Sequence, residues 1–389
     1  MSLKLTVDAL LQQAVDAGDV PGVVAIAADP ERILYEGAFG KRVLGQPAPM
    51  TLDTVGWIAS MTKAITSAAA LQLVERGKLD LHSPVSRWLP EIESIRVLEG
   101  FDASGRPRTR APSRPVTLAH LLTHTSGFSY EFWNESILQY QKATETPGIV
   151  ESRIASLRTP LMFDPGERWA YGIGIDWAGR AIEAVSGKRL GAILQENVLG
   201  PLGMSDTAFK ISASMRDRLA KIHHRAADKK LVAGDVELPQ DPEIELGGAG
   251  LYGTMVDYLK FVQMILNRGK ARGVQVLREQ SVDLMSRNQT GPIRVGPLKS
   301  AMPLLSNDAE FFPGLEKHHT YGFQITAERA PSGLPAGSLT WAGLANSFYW
   351  IDPSKKLAGV YLTQILPFAD AGAFTPFLEF QGALYRTLS

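Results

Sequence analysis

Two hydrophobic periods alternate along the chain, and the places where one gives way to the other divide it. Apolar residues over positions 1–15 recur at helical spacing, which predicts an amphipathic first helix. Residues 22–28 and 32–38 are short, rich in Val, Ile and Ala, and separated by Asp29-Pro30, so they read as two strands of a hairpin. Residues 54–58 lead into Ser60. The run 64–74 is alanine-rich and mostly apolar, the pattern of a buried central helix ending near Gly77. From about residue 80 helical stretches separated by proline and glycine take over, at 117–122, 175–185, 190–198, 254–267 and 279–286. Strand patterns return at 321–325, 338–341, 347–351 and 357–363, before a last helix over 373–387. Residues 97–114 and 290–319 read as loops.

Strands at both ends with helices between predict an α+β fold: one antiparallel β-sheet flanked by the terminal helices, with a mainly helical domain inserted. In residue terms, 1–80 and 310–389 form a discontinuous sheet domain and 81–309 the helical domain. The active site is expected at their interface.

At 389 residues and 45% hydrophobic content the chain can bury one large core or two domains. Lys plus Arg equals Asp plus Glu at 40 each, so no overall field draws nucleic acid or an anionic membrane, and the expected partner is a small molecule. The absence of cysteine excludes disulfides, thiolate metal sites and a cysteine nucleophile. The first fifteen residues lack the unbroken apolar core of a signal peptide, and every apolar run is too short or interrupted to span a bilayer. A cytoplasmic protein without membrane attachment is expected; its oligomeric state is open.

The chemistry concentrates at Ser60-Met61-Thr62-Lys63. A hydroxyl and an amine three residues apart at a helix start share a face, so Lys63 can accept the Ser60 proton, and the serine sits at the positive end of the helix dipole. Tyr171 lies in a loop after Pro165-Gly166, just before a helix, where its phenol can relay protons beside an ammonium, the alternative being a packing tyrosine that caps its own loop. Trp341-Ala342-Gly343-Leu344 ends a strand with a glycine that allows close backbone approach; the amides of Leu344 and Ser60 form a candidate oxyanion hole, the alternative being a simple bulge. Gly247-Gly248-Ala249-Gly250 lacks the lysine of a phosphate loop and reads as a tight turn. His124 reads as a turn residue under the cleft, and the adjacent His223 and His224 diverge, so neither metal nor cofactor is expected. No serine stands in a G-x-S-x-G setting.

In order and spacing, Ser60-Met-Thr-Lys63, His124-Thr-Ser-Gly127, the Tyr171 loop, Gly247-Gly-Ala-Gly250 and Trp341-Ala-Gly343 resemble the serine β-lactamase-like superfamily over residues 5–385. The nearest match resembles the family VIII carboxylesterases, relatives of class C β-lactamases and D-alanyl-D-alanine carboxypeptidases. The resemblance implies Ser60 as the acylated nucleophile, Lys63 as its proton acceptor, Tyr171 as the proton-sharing partner, and the Ser60 and Leu344 amides as the oxyanion hole. Two departures stand out. Tyr171-Gly172-Ile173 replaces Tyr-x-Asn, and Trp341-Ala342-Gly343 replaces Lys-Thr-Gly, so an amide and a cation that grip β-lactams are missing; the tryptophan is typical of family VIII. The expected activity is hydrolysis of small carboxylic esters through an acyl-enzyme, with weak β-lactam hydrolysis, and acyl transfer as the alternative. A β-lactamase, a D-amino-acid peptidase or a non-catalytic scaffold ranks lower. Trp341, Gly343 and Ile173 would contact the substrate, and Tyr130, Phe132 and Trp133 either wall the acyl pocket or pack between helices.

Overall fold

The computed structural model describes residues 2–388. Its centre is a seven-stranded antiparallel sheet made of β1 (Gly22–Ala28), β2 (Ile33–Gly40), β3 (Lys317–His319), β4 (Gln324–Thr326), β5 (Leu339–Gly343), β6 (Ser347–Asp352) and β7 (Leu357–Leu362). Their spatial order is β3-β4-β5-β6-β7-β1-β2, so the two ends of the chain meet where β1 pairs with β7, for example Ile26 with Val360.

Every residue of β1, β5, β6 and β7 is buried, which requires cover on both faces. Successive side chains supply contacts to each layer. Trp350 turns to Phe377 and Phe380 of the C-terminal helix, α5 (Ala371–Thr387), which packs beside α1 (Leu3–Asp16). Its neighbour Tyr349 meets Tyr258 on the opposite face, from α4 (Met255–Leu266). Thus α4, inside the span 81–309, lies against the sheet. The alanine-rich α2 (Thr62–Glu75) is buried at every position from Thr62 to Leu73 and packs on α3 (Gly174–Ser186). Small side chains permit that burial all round, and Gly77, at φ +67°, ends the turn after it.

Three local expectations need correction. Residues 97–114 are not all loop: Val97–Phe101 pairs with Pro107–Arg110 around a turn in which Asp102 accepts the amides of Ser104 and Arg106. Lys317–His319, within the span 290–319 read as loop, is a buried strand, because the Lys317 ammonium is held by Glu310 at 2.9 Å and the Phe312 carbonyl at 3.0 Å. The strand expected at 321–325 runs instead from Gln324 to Thr326, after a turn closed by Thr320 and Phe323. Among the described residues no helix is long and apolar enough to cross a membrane.

Candidate active site

Ser60 occupies a tight turn, Ala59–Met61, that runs straight into α2. Ala59 is fully buried with φ +44°, an uncommon conformation for a residue with a Cβ, so the surrounding packing must hold the turn. Its supports are identifiable. The Tyr258 hydroxyl donates to the Met61 carbonyl at 3.0 Å, and the Ile58 amide donates to the Leu251 carbonyl at 3.1 Å. Gly343 lies against the Ile58 carbonyl, where a Cβ would stand only 2.5 Å from the oxygen. A strand end without a side chain therefore brings the 343–344 peptide beside the serine turn.

One turn along, Lys63 is buried and its ammonium nitrogen has three partners: Ser60 Oγ at 3.1 Å, the Tyr130 hydroxyl at 2.9 Å and the Gly248 carbonyl at 2.6 Å. Burial pushes the Lys63 pKa down to about 7, while the charge of Asp176 pulls it back up. Burial also pushes Asp176 upward, against the opposing pull of Lys63 and of the Gly248 amide, which donates to Asp176 Oδ1 at 2.8 Å. Asp176 Oδ2 faces the Tyr130 hydroxyl at 3.5 Å.

Tyr171 is buried across the lysine, with the ammonium nitrogen 4.7 Å from its ring centre. Its hydroxyl accepts the Trp341 indole N–H at 2.9 Å. Burial raises its pKa, and hydrogen bonding from Ser60 and Trp341 works in the opposite direction. His124, at φ +58°, packs against Tyr171 with ring centres 4.8 Å apart and edge-on to His319. Both imidazoles are held neutral by burial, His319 with its pKa pushed down to about 4.

The structure therefore brings Ser60, Lys63, Tyr130, Tyr171 and Trp341 together. Phe132 stacks on Tyr130 with centres 4.8 Å apart, and Trp133 stands 5.3 Å from the Tyr171 ring while its indole N–H donates to Ser306. These rings are continuous with Phe311 and Phe368 and form an aromatic wall. Ile173 is buried at the head of α3, where its carbonyl accepts the Asp176 amide. His223 and His224 lie away from this cluster on a short strand, His223 accepting the Leu44 amide.

Three contributions escaped the sequence. The Tyr130 hydroxyl, on a residue read as pocket wall, bonds the lysine. The Gly248 turn, read as structural, supplies a carbonyl to Lys63 and is strapped to α2 by Thr66, which donates to the Gly247 carbonyl at 2.8 Å. Asp176 had one signal: a lone acid between buried Ile175 and Trp177, five residues after Tyr171. Its place in the first turn of a helix also fits a dipole role, which hid it.

A family model described as Beta-lactamase matches residues 7–383. The chain is 32% identical to the lovastatin esterase of Penicillium rubens, over 98% of each chain. It is 33% identical to the monacolin J acid methylbutanoyltransferase of Aspergillus terreus, over 96% of this chain and 94% of that one. Among solved structures it is similar to unliganded simvastatin synthase (LovD) from Aspergillus terreus, with a TM-score of 0.84 and 30% identity, covering 100% of this chain and 99% of that one.

Proposed function

From the premise that the chain belongs to the beta-lactamase family, we propose that it is a serine acyltransferase. In this reading it takes a short acyl group from an activated ester onto Ser60 and passes it to the hydroxyl of a small-molecule acceptor, with water as the competing acceptor. This reverses the order in which the sequence ranks transfer and hydrolysis. The support for the reversal is a relative named as a methylbutanoyltransferase that aligns over nearly the whole chain at 33% identity, beside 32% for one named as an esterase. The observation that carries the acyl-serine chemistry is the buried Lys63 amine 3.1 Å from Ser60 Oγ, its pKa lowered to about 7 so that a proton-accepting form is populated near neutral pH.

The proposed sequence balances. Ser60 Oγ attacks the donor carbonyl and its proton passes to Lys63; the developing oxyanion lies toward the Ser60 and Leu344 amides. The leaving alkoxide takes a proton from the Lys63–Tyr171 side of the site, giving an acyl-serine and the free alcohol. The acceptor hydroxyl then loses its proton to Lys63 and attacks the acyl carbon; the bond to Ser60 Oγ breaks, and Lys63 returns the proton to the departing serine oxygen, regenerating the neutral amine and the free hydroxyl. β5 and the residue after it supply Trp341 and Leu344, and the turn before α2 and α2 itself supply Ser60 and Lys63. The loop before α3 and α3 supply Tyr171 and Asp176, and the 128–134 and 247–251 loops supply Tyr130 and Gly248. We place the site at the junction of the sheet and helical domains, 1–80 with 310–389 and 81–309. The aromatic wall favours an apolar acyl chain and limits water near the acyl carbon.

Hydrolysis as the main outcome is the second reading, favoured by the likeness to the lovastatin esterase. One experiment separates the two: turnover of p-nitrophenyl butyrate with and without an added alcohol, with both products quantified. Transfer predicts that the butyrate ester of the alcohol accumulates at the expense of free butyrate. Release of butyrate alone, across alcohols of differing size, would eliminate it.

A further inference from the structure

We infer that Asp176 is a positioning residue for the Lys63 amine, acting through Tyr130 and the Gly248 peptide so that the amine's lone pair faces Ser60. The inference rests on the acyl-serine reading above.

A neutral primary amine has two N–H groups and one lone pair. Of the three partners around Lys63 Nζ, the Gly248 carbonyl can only accept, so it takes one N–H. The Tyr130 hydroxyl can accept or donate, and its choice decides the outcome. If Tyr130 gives its proton to the Asp176 carboxylate, its oxygen accepts the second N–H of Lys63 and the lone pair is left for Ser60. If Tyr130 donates to Lys63 instead, the lone pair is consumed and Ser60 meets an N–H, which cannot take its proton.

Asp176 is placed to impose the first arrangement. It is buried, its Oδ1 accepts the Gly248 amide at 2.8 Å, and its Oδ2 faces Tyr130 at 3.5 Å, a long contact of the kind that tightens on substrate binding. The same peptide thus links both ends: its N–H is fixed by Asp176 and its carbonyl holds Lys63. The fit depends on Gly248, because a Cβ there would lie 2.6 Å from Asp176 Oδ2 and 2.9 Å from the Tyr130 hydroxyl. A buried carboxylate on an otherwise apolar helix face is costly, and here its partners are all in the site.

The groups facing Lys63 come from every element around it. Ser60 lies on its own turn, Tyr130 on the 128–134 segment, Tyr171 on its loop, His124 on the turn beneath and His319 on β3. The two histidines are neutral, and Asp176 is the carboxylate whose charge raises the lysine.

The test is Asp176→Asn in the full chain, with kcat/KM for p-nitrophenyl butyrate measured from pH 5 to 10. An asparagine that still accepts the Gly248 amide turns its NH2 toward Tyr130, which then must donate to Lys63. The expected result is a plateau about 10- to 100-fold lower, part of the roughly 10²–10⁴ that a positioned base supplies. The acid limb moves down by about one pH unit, because the ammonium loses its counter-charge. Tyr130→Phe should lower the plateau comparably, and the double variant should be no worse than either single one, since both act on one lone pair. A normal plateau and limb in Asp176→Asn would overturn the inference, as would a lower rate with an unmoved limb and additive losses. If Asp176→Asn fails to fold, Tyr130→Phe decides alone, and an unchanged plateau overturns it. Ser60→Ala and Lys63→Ala in the same assay keep the two readings apart. Wild-type turnover in those variants defeats the acyl-serine reading itself, whereas their inactivity beside a normal Asp176→Asn defeats only the role of Asp176.

Discussion

The indole N–H of Trp341 donates to the hydroxyl of Tyr171 at 2.9 Å. The phenol oxygen thus accepts from Trp341 and, on its other side, meets Ser60, and both contacts oppose the upward push of burial on its pKa. In the proposed mechanism the tryptophan is therefore part of the proton network as well as of the apolar wall. Trp341→Phe keeps a ring and removes the donor. A hydrogen bond of about 1 kcal/mol corresponds to roughly a five- to tenfold fall in kcat, with KM for a short ester little changed. Steady-state kinetics on p-nitrophenyl butyrate checks it, and an unaltered kcat would refute the network.

Removal of the base itself should cost far more. Lys63→Ala and Tyr171→Phe are each expected to lower kcat by about 10²–10⁴. Mass spectrometry of quenched wild-type reactions should show the acyl fragment on Ser60, and Ser60→Ala should carry none. Acyl adduct on another residue would contradict the assignment.

The acid limb follows from burial. In the proposed mechanism the reactive form of Lys63 is the neutral amine, and its lowered pKa, about 7, populates that form above neutrality. kcat/KM should rise with pH up to about 7 and level off above it. The neighbouring imidazoles do not compete for this assignment, since His319 is pushed down to about 4 and His124 is also well below its ordinary value. A limb centred near the ordinary lysine range would mean that burial does not lower the Lys63 pKa, and no limb near 7 that moves with Lys63 substitution would mean that another group is the base.

The contrast between what the chain discloses and what it conceals has a physical cause. The central helix, the terminal strands and the order of Ser60, Lys63, Tyr171 and Trp341 are local patterns, carried by periodicity and short motifs. The bond from Tyr130 to Lys63 joins residues 67 apart, and that from Gly248 to Lys63 joins residues 185 apart. No local signal marks a backbone carbonyl as a lysine ligand. Residues 317–319 read as part of a loop because no local pattern shows that the Lys317 charge is met by Glu310 and can be buried in a strand.

Gly343 tests the oxyanion geometry. A methyl group at this position would meet the Ile58 carbonyl at 2.5 Å, so Gly343→Ala must push β5 away from the serine turn. Overpacking of this kind costs about 1–3 kcal/mol of stability, and the Leu344 amide moves with the strand. Thermal unfolding should show a lowered Tm, and kcat should fall by about 10²-fold even where the protein is folded. A folded variant with normal kcat would exclude Leu344 from the oxyanion hole.

β-Lactam turnover should be weak for a reason visible at two positions. Ile173 is buried at the head of α3 and offers no amide side chain, and Trp341 commits its only polar atom to Tyr171. A β-lactam can still acylate Ser60, but neither its side-chain amide nor its carboxylate finds a partner from these two residues, and unpaired polar groups are strongly penalised. Nitrocefin is therefore expected to give kcat/KM on the order of 10²-fold or more below p-nitrophenyl butyrate. Trp341→Lys alone should not close that gap, because Ile173 still offers no partner to the substrate's side-chain amide and the Tyr171 hydroxyl loses its indole donor at the same time. Efficient nitrocefin hydrolysis by the native chain would show that substrate recognition comes from residues outside these two motifs.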